Sequence, residues 1–290
     1  MRTEKEMFEL ILGTAKNDER IRAVLMGGSR TNPNAKKDFF QDYDIIYIVK
    51  NVESFTSNHH WVDQFGERIM MQMPEDKKTP PPSNLGHFVY LMWFKDGNRI
   101  DLTLIPVERM DEMLQPESLR TVLLDKDGII GALPPSSDKD FHVKTPSEKE
   151  FQDVCNEFWW ICMNISKGLW REELPYTKFM FEQINRNVLH QMLGWSIGIR
   201  TDFSMSIGSF GKYLKRCLGE DEWVEYTKTF ADASEENIWE SLFAMCDLFR
   251  KTAIHVAGHF GYEYPYEDDD NVTAHLVHIK NLPRNATEMY

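Results

Sequence analysis

The stretch MGGSRTNPNAKKDFFQDYDIIYIV, residues 26–49, contains the motifs that are most informative about the fold of this chain. An apolar run ends in a Gly-Gly-Ser triplet, and after twelve intervening residues a second apolar run begins with Asp42 and Asp44. Residues two apart in a β-strand point to the same face, so these aspartates place their carboxylates side by side. Two anions at that separation must be solvated by water or neutralised by a basic group or a divalent metal ion.

The triplet Gly27, Gly28 and Ser29 indicates what binds beside these acids. Glycines after a strand let the backbone approach a ligand closely, and the backbone amides with the serine hydroxyl can hold phosphate oxygens. Each signal has an ordinary alternative, because the glycines can form a tight turn and the aspartates can be turn residues at the solvated start of a strand. Both signals occur in this order at predicted strand ends, which indicates a phosphate site beside a metal site.

A third carboxylate, Asp101, lies in the apolar run RIDLTLIP of residues 99–106. An unpaired charge in such a strand costs several kcal/mol, so Asp101 needs a partner. That partner can be Arg99 or Lys95 in an ion pair, or a metal shared with the other two aspartates. We favour the shared metal site, with Mg²⁺ as the ion, because Mg²⁺ prefers oxygen ligands and fills its remaining positions with water and phosphates.

The sequence around these motifs predicts a mixed α/β unit. Apolar residues at helical spacing predict a helix over residues 4–15, and Asp96-Gly97-Asn98 predicts a hairpin turn between two strands. Three consecutive prolines predict a loop over residues 73–84. The predicted strands cover residues 22–26, 42–49, 87–94, 99–105 and 121–124, and a second helix is expected at residues 107–114.

The second half of the sequence has a helical pattern. A proline- and serine-rich segment after residue 128 predicts a linker. Thr145 with Pro146 and Glu148 then predicts a helix N-cap and capping box. Apolar residues keep helical spacing over residues 151–165, 176–199 and 238–259, and the acidic run 267–270 is expected to be solvated. We predict an α+β fold with a mixed-sheet catalytic domain over residues 1–135 and an all-helical bundle over residues 136–290.

Composition limits the classes of ligand. The net charge of -13 disfavours nucleic acid as a partner and favours a cationic small molecule, although an acidic surface can also serve solubility alone. The four cysteines are widely spaced, without a CxxC motif, which argues against a zinc site or a disulfide framework. No apolar run approaches the length that spans a bilayer. We expect a soluble, cytoplasmic protein without membrane contact, a monomer or weak homodimer.

At this point the motifs resemble the nucleotidyltransferase superfamily, whose pattern is GS, an interval, DxD or DxE on the next strand, and an acid on a later strand. The segments MGGSRTNPN, QDYDIIYIV, RIDLTLIP and REELPYTKFMFEQINRNVLHQM are similar to the aminoglycoside 6-adenylyltransferases, the streptomycin-modifying enzymes. The resemblance covers essentially the whole chain. It implies a catalytic domain with the mixed sheet of DNA polymerase β, followed by a helical substrate-binding domain.

The resemblance also implies a reaction and roles for the N-terminal motifs. ATP with Mg²⁺ would donate AMP to a hydroxyl of the drug and release pyrophosphate. Asp42 and Asp44 would ligate the metal, and Asp101 would ligate a second ion or remove the proton from the attacking hydroxyl. The triphosphate would be held by Gly28 and Ser29, with Arg30 assisting. These roles suit phosphoryl-type transfer, which depends mainly on positioning and charge stabilisation.

In the helical half, four residues are candidates for the substrates. Lys178 would reach the nucleotide phosphates, as a helical-domain lysine does in similar enzymes, or it is a solvated surface lysine. Glu172, Glu173 and Glu182 would hold guanidinium or ammonium groups of an aminoglycoside, or they belong only to helix ends.

Two other functions remain open from the sequence. One keeps the nucleotidyltransferase chemistry but changes the acceptor to another small molecule or to a protein side chain. The other is a non-catalytic nucleotide-binding protein of the same fold. The set of Asp42, Asp44 and Asp101 argues against the second alternative, because a binding protein has no need of three converging acids.

Overall fold

The structure, a computed structural model, describes residues 1–82, 84–114 and 117–290. The chain divides into two compact units, Met1–Asp140 and Phe141–Tyr290. The first unit contains a six-stranded sheet, whereas the described residues of the second contain helices without strands. The predicted fold class, α+β with a mixed sheet followed by helices, is therefore confirmed.

The sheet of the first unit is mixed. Its strands are β1 (Ile21–Gly27), β2 (Tyr43–Val49), β3 (Arg68–Gln72), β4 (Phe88–Phe94), β5 (Arg99–Pro106) and β6 (Arg120–Asp125). They lie in the order β3-β4-β5-β2-β1-β6. Strand β2 runs parallel to β5, and the other neighbours are antiparallel. Five strands match predicted ones, but the edge strand β3 was not predicted.

One face of this sheet is covered by the core of the first unit. Helix α1 (Glu4–Asn17) buries Met7 and Ile11 against it. In β5 the side chains of Ile100 and Leu102 are buried, so Asp101 between them points to the opposite face. The strand's two-residue period thus fixes which face carries the acidic groups.

The remaining elements of the first unit are short. Two α-helices are α2 (Glu53–Thr56) and α3 (Met110–Met113), and 3₁₀ turns cover Gly28–Arg30, His59–Phe65, Pro74–Asp76 and Val107–Arg109. The helix expected at residues 107–114 is thus a 3₁₀ turn followed by one α-helical turn. The loop expected at residues 73–84 contains only the turn Pro74–Asp76; Ser83 lies outside the described residues.

The second unit has one large apolar core. Its α-helices are α4 (Glu148–Trp170), α5 (Leu174–Phe179), α6 (Arg186–Arg200), α7 (Leu214–Cys217), α8 (Glu220–Thr227), α9 (Glu235–Phe260) and α10 (Tyr266–Asn281). A π-helical segment, Met180–Asn185, joins α5 to α6, and 3₁₀ turns occur at Lys139–Phe141 and Ser209–Gly211.

The start of α4 differs from the expected one. The N-cap is Ser147, not Thr145, and the capping box is completed by Glu150, not Glu148. The Ser147 hydroxyl accepts a hydrogen bond from the Glu150 amide at 3.3 Å, and the Glu150 carboxylate accepts one from the Ser147 amide at 2.7 Å. The prediction was wrong because Thr-x-x-Glu and Ser-x-x-Glu overlap here, and either reads as a capping box.

The acidic run 267–270 is also not wholly solvated. Asp269 on α10 is 2% exposed. Its carboxylate accepts two hydrogen bonds of 2.6 Å from the Arg250 guanidinium and one of 2.7 Å from the Tyr264 hydroxyl. The ion pair joins α10 to α9, and it explains why one acid of the run can be buried.

Two further observations concern the cysteines and the length of the helices. Cys155, Cys162 and Cys246 are buried and Cys217 is half-buried, all as free thiols. Within the described ranges, the structure contains no helix with both the length and the apolar character required to cross a bilayer.

Candidate active site

Three carboxylates converge on the sheet face opposite α1, here named the open face, part of which is covered by a second, smaller apolar cluster that includes Ile48 and Ile105. Asp44 on β2 and Asp101 on β5 are direct partners in the parallel ladder, and Asp42 immediately precedes β2. Each contributes an oxygen, and these oxygens all lie within 4.8 Å of one another. The predicted meeting of the three acids therefore occurs, because residues far apart in sequence occupy adjacent strands in register.

The convergence raises the proton affinity of the central acid. The pKa of Asp44 rises from 3.8 to about 6, mainly because the carboxyl is buried and also because Asp42 and Asp101 are close. The Arg99 guanidinium opposes this rise. An all-oxygen set of converging carboxylates with a raised pKa is a chemical fit for a hard divalent ion such as Mg²⁺.

Arg99 also belongs to the cluster. The sequence suggested this residue only as an ion-pair partner of Asp101, as an alternative to a metal. Its guanidinium donates hydrogen bonds of 2.7 and 2.6 Å to the two carboxylate oxygens of Asp101. Its Nε also lies 3.9 Å from a carboxylate oxygen of Asp42. The ion pair and the acidic cluster thus coexist. Three carboxylates and one guanidinium sum to a formal charge of two negative units, which one divalent cation would neutralise.

Gly28 is required for the close approach of the triplet to Asp44. Its φ is +67°, and a β-carbon at this position would lie 1.8 Å from the Asp44 Oδ2. Gly27 has no such restriction, since a β-carbon there would meet only the Leu119 carbonyl at 3.4 Å. The side-chain amide of Gln41 donates to the Ser29 carbonyl at 3.1 Å and reaches the Ser29 hydroxyl at 3.4 Å.

Arg30 has structural partners in this structure. Its guanidinium donates hydrogen bonds of 2.9 Å to the Asp42 carbonyl and 2.8 Å to the Gln41 carbonyl. The same group pairs with Glu4 at 3.3 Å and lies 3.7 Å from the centre of the Tyr43 ring. Arg30 therefore fixes the backbone that carries Asp42, a role that the sequence did not indicate. Its contact with phosphate stays a prediction.

The candidates of the second unit form two separate groups. Lys178 donates to the Ala231 carbonyl at 2.9 Å and lies 3.3 Å from Glu182. Glu182, in the π-helical segment, also accepts a 2.5 Å hydrogen bond from Arg186, which is itself buried and bound to Thr229. Lys178 and Glu182 thus have partners within the helical core, and their contacts with substrates stay predictions.

Glu172 and Glu173 form the other group. Both line a cavity of about 170 Å³, and Glu182 is not among its lining residues. The side chain of Thr177, which also lines this cavity, is buried without a hydrogen-bond partner for its hydroxyl. Glu172 has a left-handed backbone with φ of 57°. Glu172 and Glu173 thus share a cavity, and the binding of the drug by the three glutamates stays a prediction.

Comparisons with known proteins show which family of proteins this chain is similar to. The profile of a family described as "Streptomycin adenylyltransferase" matches residues 1–279. The chain is 42% identical over 280 residues to the aminoglycoside 6-adenylyltransferase of Bacillus subtilis (strain 168), covering 96% of this chain and 98% of that protein. It is 41% identical over 269 residues to the protein of the same name from Campylobacter jejuni, covering 93% of each. A crystal structure of an aminoglycoside 6-adenyltransferase from Bacillus subtilis has 38% identity, covers 97% of this chain and 100% of that one, and gives a TM-score of 0.49.

Proposed function

The chain belongs to the streptomycin adenylyltransferase family, and on that premise we propose that it transfers AMP from ATP to a hydroxyl of an aminoglycoside antibiotic. We propose streptomycin as the acceptor and drug inactivation as the result. The observation that carries the proposal is the convergence of Asp42, Asp44 and Asp101 within 4.8 Å, beside the close contact of Gly28 with Asp44.

The reaction forms one bond and breaks another at the α-phosphorus of ATP. The acceptor hydroxyl oxygen bonds to that phosphorus, the bond from phosphorus to the bridging α,β-oxygen breaks, and pyrophosphate leaves. The hydroxyl proton passes to a carboxylate, for which we propose Asp101. Asp101 is the acid that we assign to orient this hydroxyl, because it is the member of the cluster farthest from Gly28 in strand order, with β2 between them.

The remaining residues hold and orient the nucleotide. We propose that Asp42 and Asp44 ligate Mg²⁺ with the phosphates, while Asp101 completes the oxygen donor set. When bound there, Mg²⁺ supplies positive charge against the phosphate oxygens. Backbone amides and the hydroxyl at Gly28 and Ser29 would bind the triphosphate, since a side chain at position 28 would fill the space beside Asp44. Arg30 and Lys178 would assist.

The binding of the drug is assigned to carboxylates of the second unit. Glu172 and Glu173 line one cavity and are exposed, so each can pair with a guanidinium or ammonium group. Glu182 would contribute only after exchange of its present partners, Lys178 and Arg186. Glu172 and Glu173 are therefore stronger candidates for binding the drug than Glu182.

The test is an acceptor panel with pyrophosphate release as the readout. Purified protein is incubated with ATP and MgCl₂ and with streptomycin, kanamycin or spectinomycin in turn, and adenylylated product is identified by mass spectrometry. We expect transfer to streptomycin that stops with EDTA and in Asp44→Asn. Transfer to kanamycin or spectinomycin but never to streptomycin would refute the choice of acceptor, and near-normal turnover of Asp44→Asn would refute the metal assignment.

A further inference from the structure

The sheet face that carries the acids continues into an apolar surface that the proposed reaction has not used. Strand β4 buries Tyr90, Met92 and Phe94 in the core, so Leu91 and Trp93 point to the same face as the acids. Leu91 is the ladder partner of Asp101, and Trp93 is the partner of Arg99. The side chain of Trp93 is 44% exposed.

The apolar surface extends to the edge strand. Met70 on β3 is the ladder partner of Trp93 and is 64% exposed. Met70, Leu91 and Trp93, here named the β4 platform, are therefore neighbours on one face. A tryptophan and a methionine exposed together on a sheet face are unusual for a surface that contacts only water, because burying them elsewhere would be favourable.

Strand order determines which substrate meets this surface. From one side to the other, the open face presents Gly28 at the end of β1, Asp44 on β2, Asp101 on β5, and then the β4 platform. In an in-line displacement the attacking and leaving oxygens lie on opposite sides of the phosphorus. If the triphosphate is held at Gly28, the attacking hydroxyl comes from the side of Asp101 and the β4 platform.

The charge of this region suits a cationic acceptor. The Arg99 guanidinium carbon lies 5.5 Å from the centre of the Trp93 ring, but its charge is neutralised by the two hydrogen bonds to Asp101. The acids beside the platform leave a net negative charge. A tryptophan face attracts cations and packs against the C–H faces of saturated rings, and aminoglycosides offer both.

We propose that Trp93 is a specificity-determining residue that binds the saturated, cation-bearing ring of the acceptor, with Met70 and Leu91 as its apolar surroundings. The proposal rests on the proposed function for the identity of the acceptor. Trp93 contributes to acceptor binding and leaves nucleotide binding unchanged, because it lies on the opposite side of the acids from the triphosphate site.

The experiment compares Trp93→Leu and Trp93→Phe with the wild type. Trp160→Leu is the matched control, because Trp160 is 63% exposed on α4 of the second unit, away from the β4 platform in the sequence. Thermal unfolding first establishes that each variant is folded. Calorimetric titration with streptomycin in the absence of ATP measures binding without turnover, and steady-state kinetics give KM for streptomycin and for ATP separately.

We expect Trp93→Leu to raise both the Kd and the KM for streptomycin by about tenfold, with KM for ATP unchanged. Trp93→Phe should raise the Kd and KM for streptomycin less than Trp93→Leu does, and Trp160→Leu should have the wild-type values. Unchanged streptomycin binding in Trp93→Leu would overturn the proposal, and so would a change confined to ATP, which would make the tryptophan a nucleobase platform. A wild type that binds streptomycin through Trp93 but transfers no AMP would refute the proposed function while leaving this inference standing.

Discussion

At the scale of single residues, Arg99 shows how one cation organises three acids. Its guanidinium binds both oxygens of Asp101 and approaches Asp42. The pattern Arg-x-Asp in a strand places both side chains on one face, so the sequence contained the signal for this pair. What the sequence could not decide was whether the pair excluded a metal site or formed part of one, because that depends on the pairing of β5 with β2.

Replacement of Arg99 should therefore affect the reaction through Asp101. In Arg99→Ala, Asp101 loses two charge-assisted hydrogen bonds and the three carboxylates repel one another without compensation. We expect turnover to fall by at least about tenfold and the free energy of unfolding to fall by about 2 kcal/mol. Arg99→Lys retains the charge without the two-pronged geometry and should be intermediate. Kinetics and denaturant unfolding measure both effects; wild-type turnover in Arg99→Ala would contradict this role.

Asp44 predicts a pH-dependent stability. Its pKa in the folded protein, about 6, is above the ordinary value of 3.8. Between these pH values the folded state binds more protons than the unfolded state, so the contribution of Asp44 to stability is present below 3.8 and is lost as the pH rises to about 6. At neutral pH the ionised, buried carboxylate therefore destabilises the metal-free protein.

The neutral variant Asp44→Asn removes this penalty. In EDTA, we expect the variant to be more stable than the wild type near pH 7 by an amount on the order of 2 kcal/mol, and the difference to shrink toward pH 4. Denaturant unfolding at several pH values measures it. Asp270→Asn, on an exposed residue of α10, is the control and should show no such trend. If the stability difference between Asp44→Asn and the wild type were the same at every pH in this range, the raised pKa of Asp44 would be disproved.

At the scale of elements, the sequence predicted the strands that have a compositional or turn signal and the helices that have a periodic one. Strand β2 was predicted from its isoleucines and tyrosines, and β4 and β5 were predicted from the hairpin signal Asp96-Gly97-Asn98 between them. Strand β3 was not, because Ile69 and Met70 are consecutive and are both exposed, which leaves no two-residue period. The π-helical segment Met180–Asn185 likewise has no sequence signal of its own, because it differs from an α-helix by one extra residue in a turn.

The start of α4 gives a direct test at this scale. Ser147→Ala removes the N-cap side chain and should reduce the free energy of unfolding by about 1 kcal/mol. Thr145→Ala is the matched control, since Thr145 is exposed and lies outside the helix, and it should change stability by less than about 0.5 kcal/mol. If thermal unfolding showed that the two variants lose equal stability, the result would support Thr145, the N-cap that the sequence suggested.

The junction of α9 and α10 gives another test. Asp269→Asn removes the negative charge beside Arg250, whose side chain is 30% exposed. We expect a loss of about 3 kcal/mol in the free energy of unfolding, somewhat below the cost for a fully buried pair because Arg250 also contacts Asp247. Asp270→Asn should be nearly neutral. If both substitutions cost the same, the buried ion pair does not stabilise this junction.

At the scale of the whole molecule, the net charge of -13 sets the field that an approaching ligand meets. A cationic acceptor is attracted, and salt screens the attraction over a distance of about 10 Å at 0.1 M. We expect kcat/KM for streptomycin to fall by roughly tenfold between low and moderate salt. The value for ATP, an anion, should not fall in parallel, which separates screening from general inactivation. Parallel decreases would contradict electrostatic attraction of the drug.

The whole chain also shows what a sequence can and cannot determine about a site. Asp42, Asp44 and Asp101 were identified because few residues in apolar strands carry charge, so each was conspicuous. The exposed Trp93 was not, because a tryptophan in a strand is ordinarily buried and nothing local marks it as exposed. Arg30 was assigned to phosphate through the family resemblance of its motif, while its bonds to the Gln41 and Asp42 carbonyls depend on the path of an intervening loop.

The contact between Gly28 and Asp44 has a consequence for how the gene can vary. Every amino acid other than glycine has a β-carbon, and at codon 28 that atom would lie 1.8 Å from an Asp44 oxygen. A missense change at this codon must therefore displace the Asp44 side chain or the backbone, and we expect it to impair the proposed reaction whatever the chemistry of the new side chain. Under selection for the proposed reaction, gene copies should keep this codon as glycine, and copies released from that selection should be free to drift there.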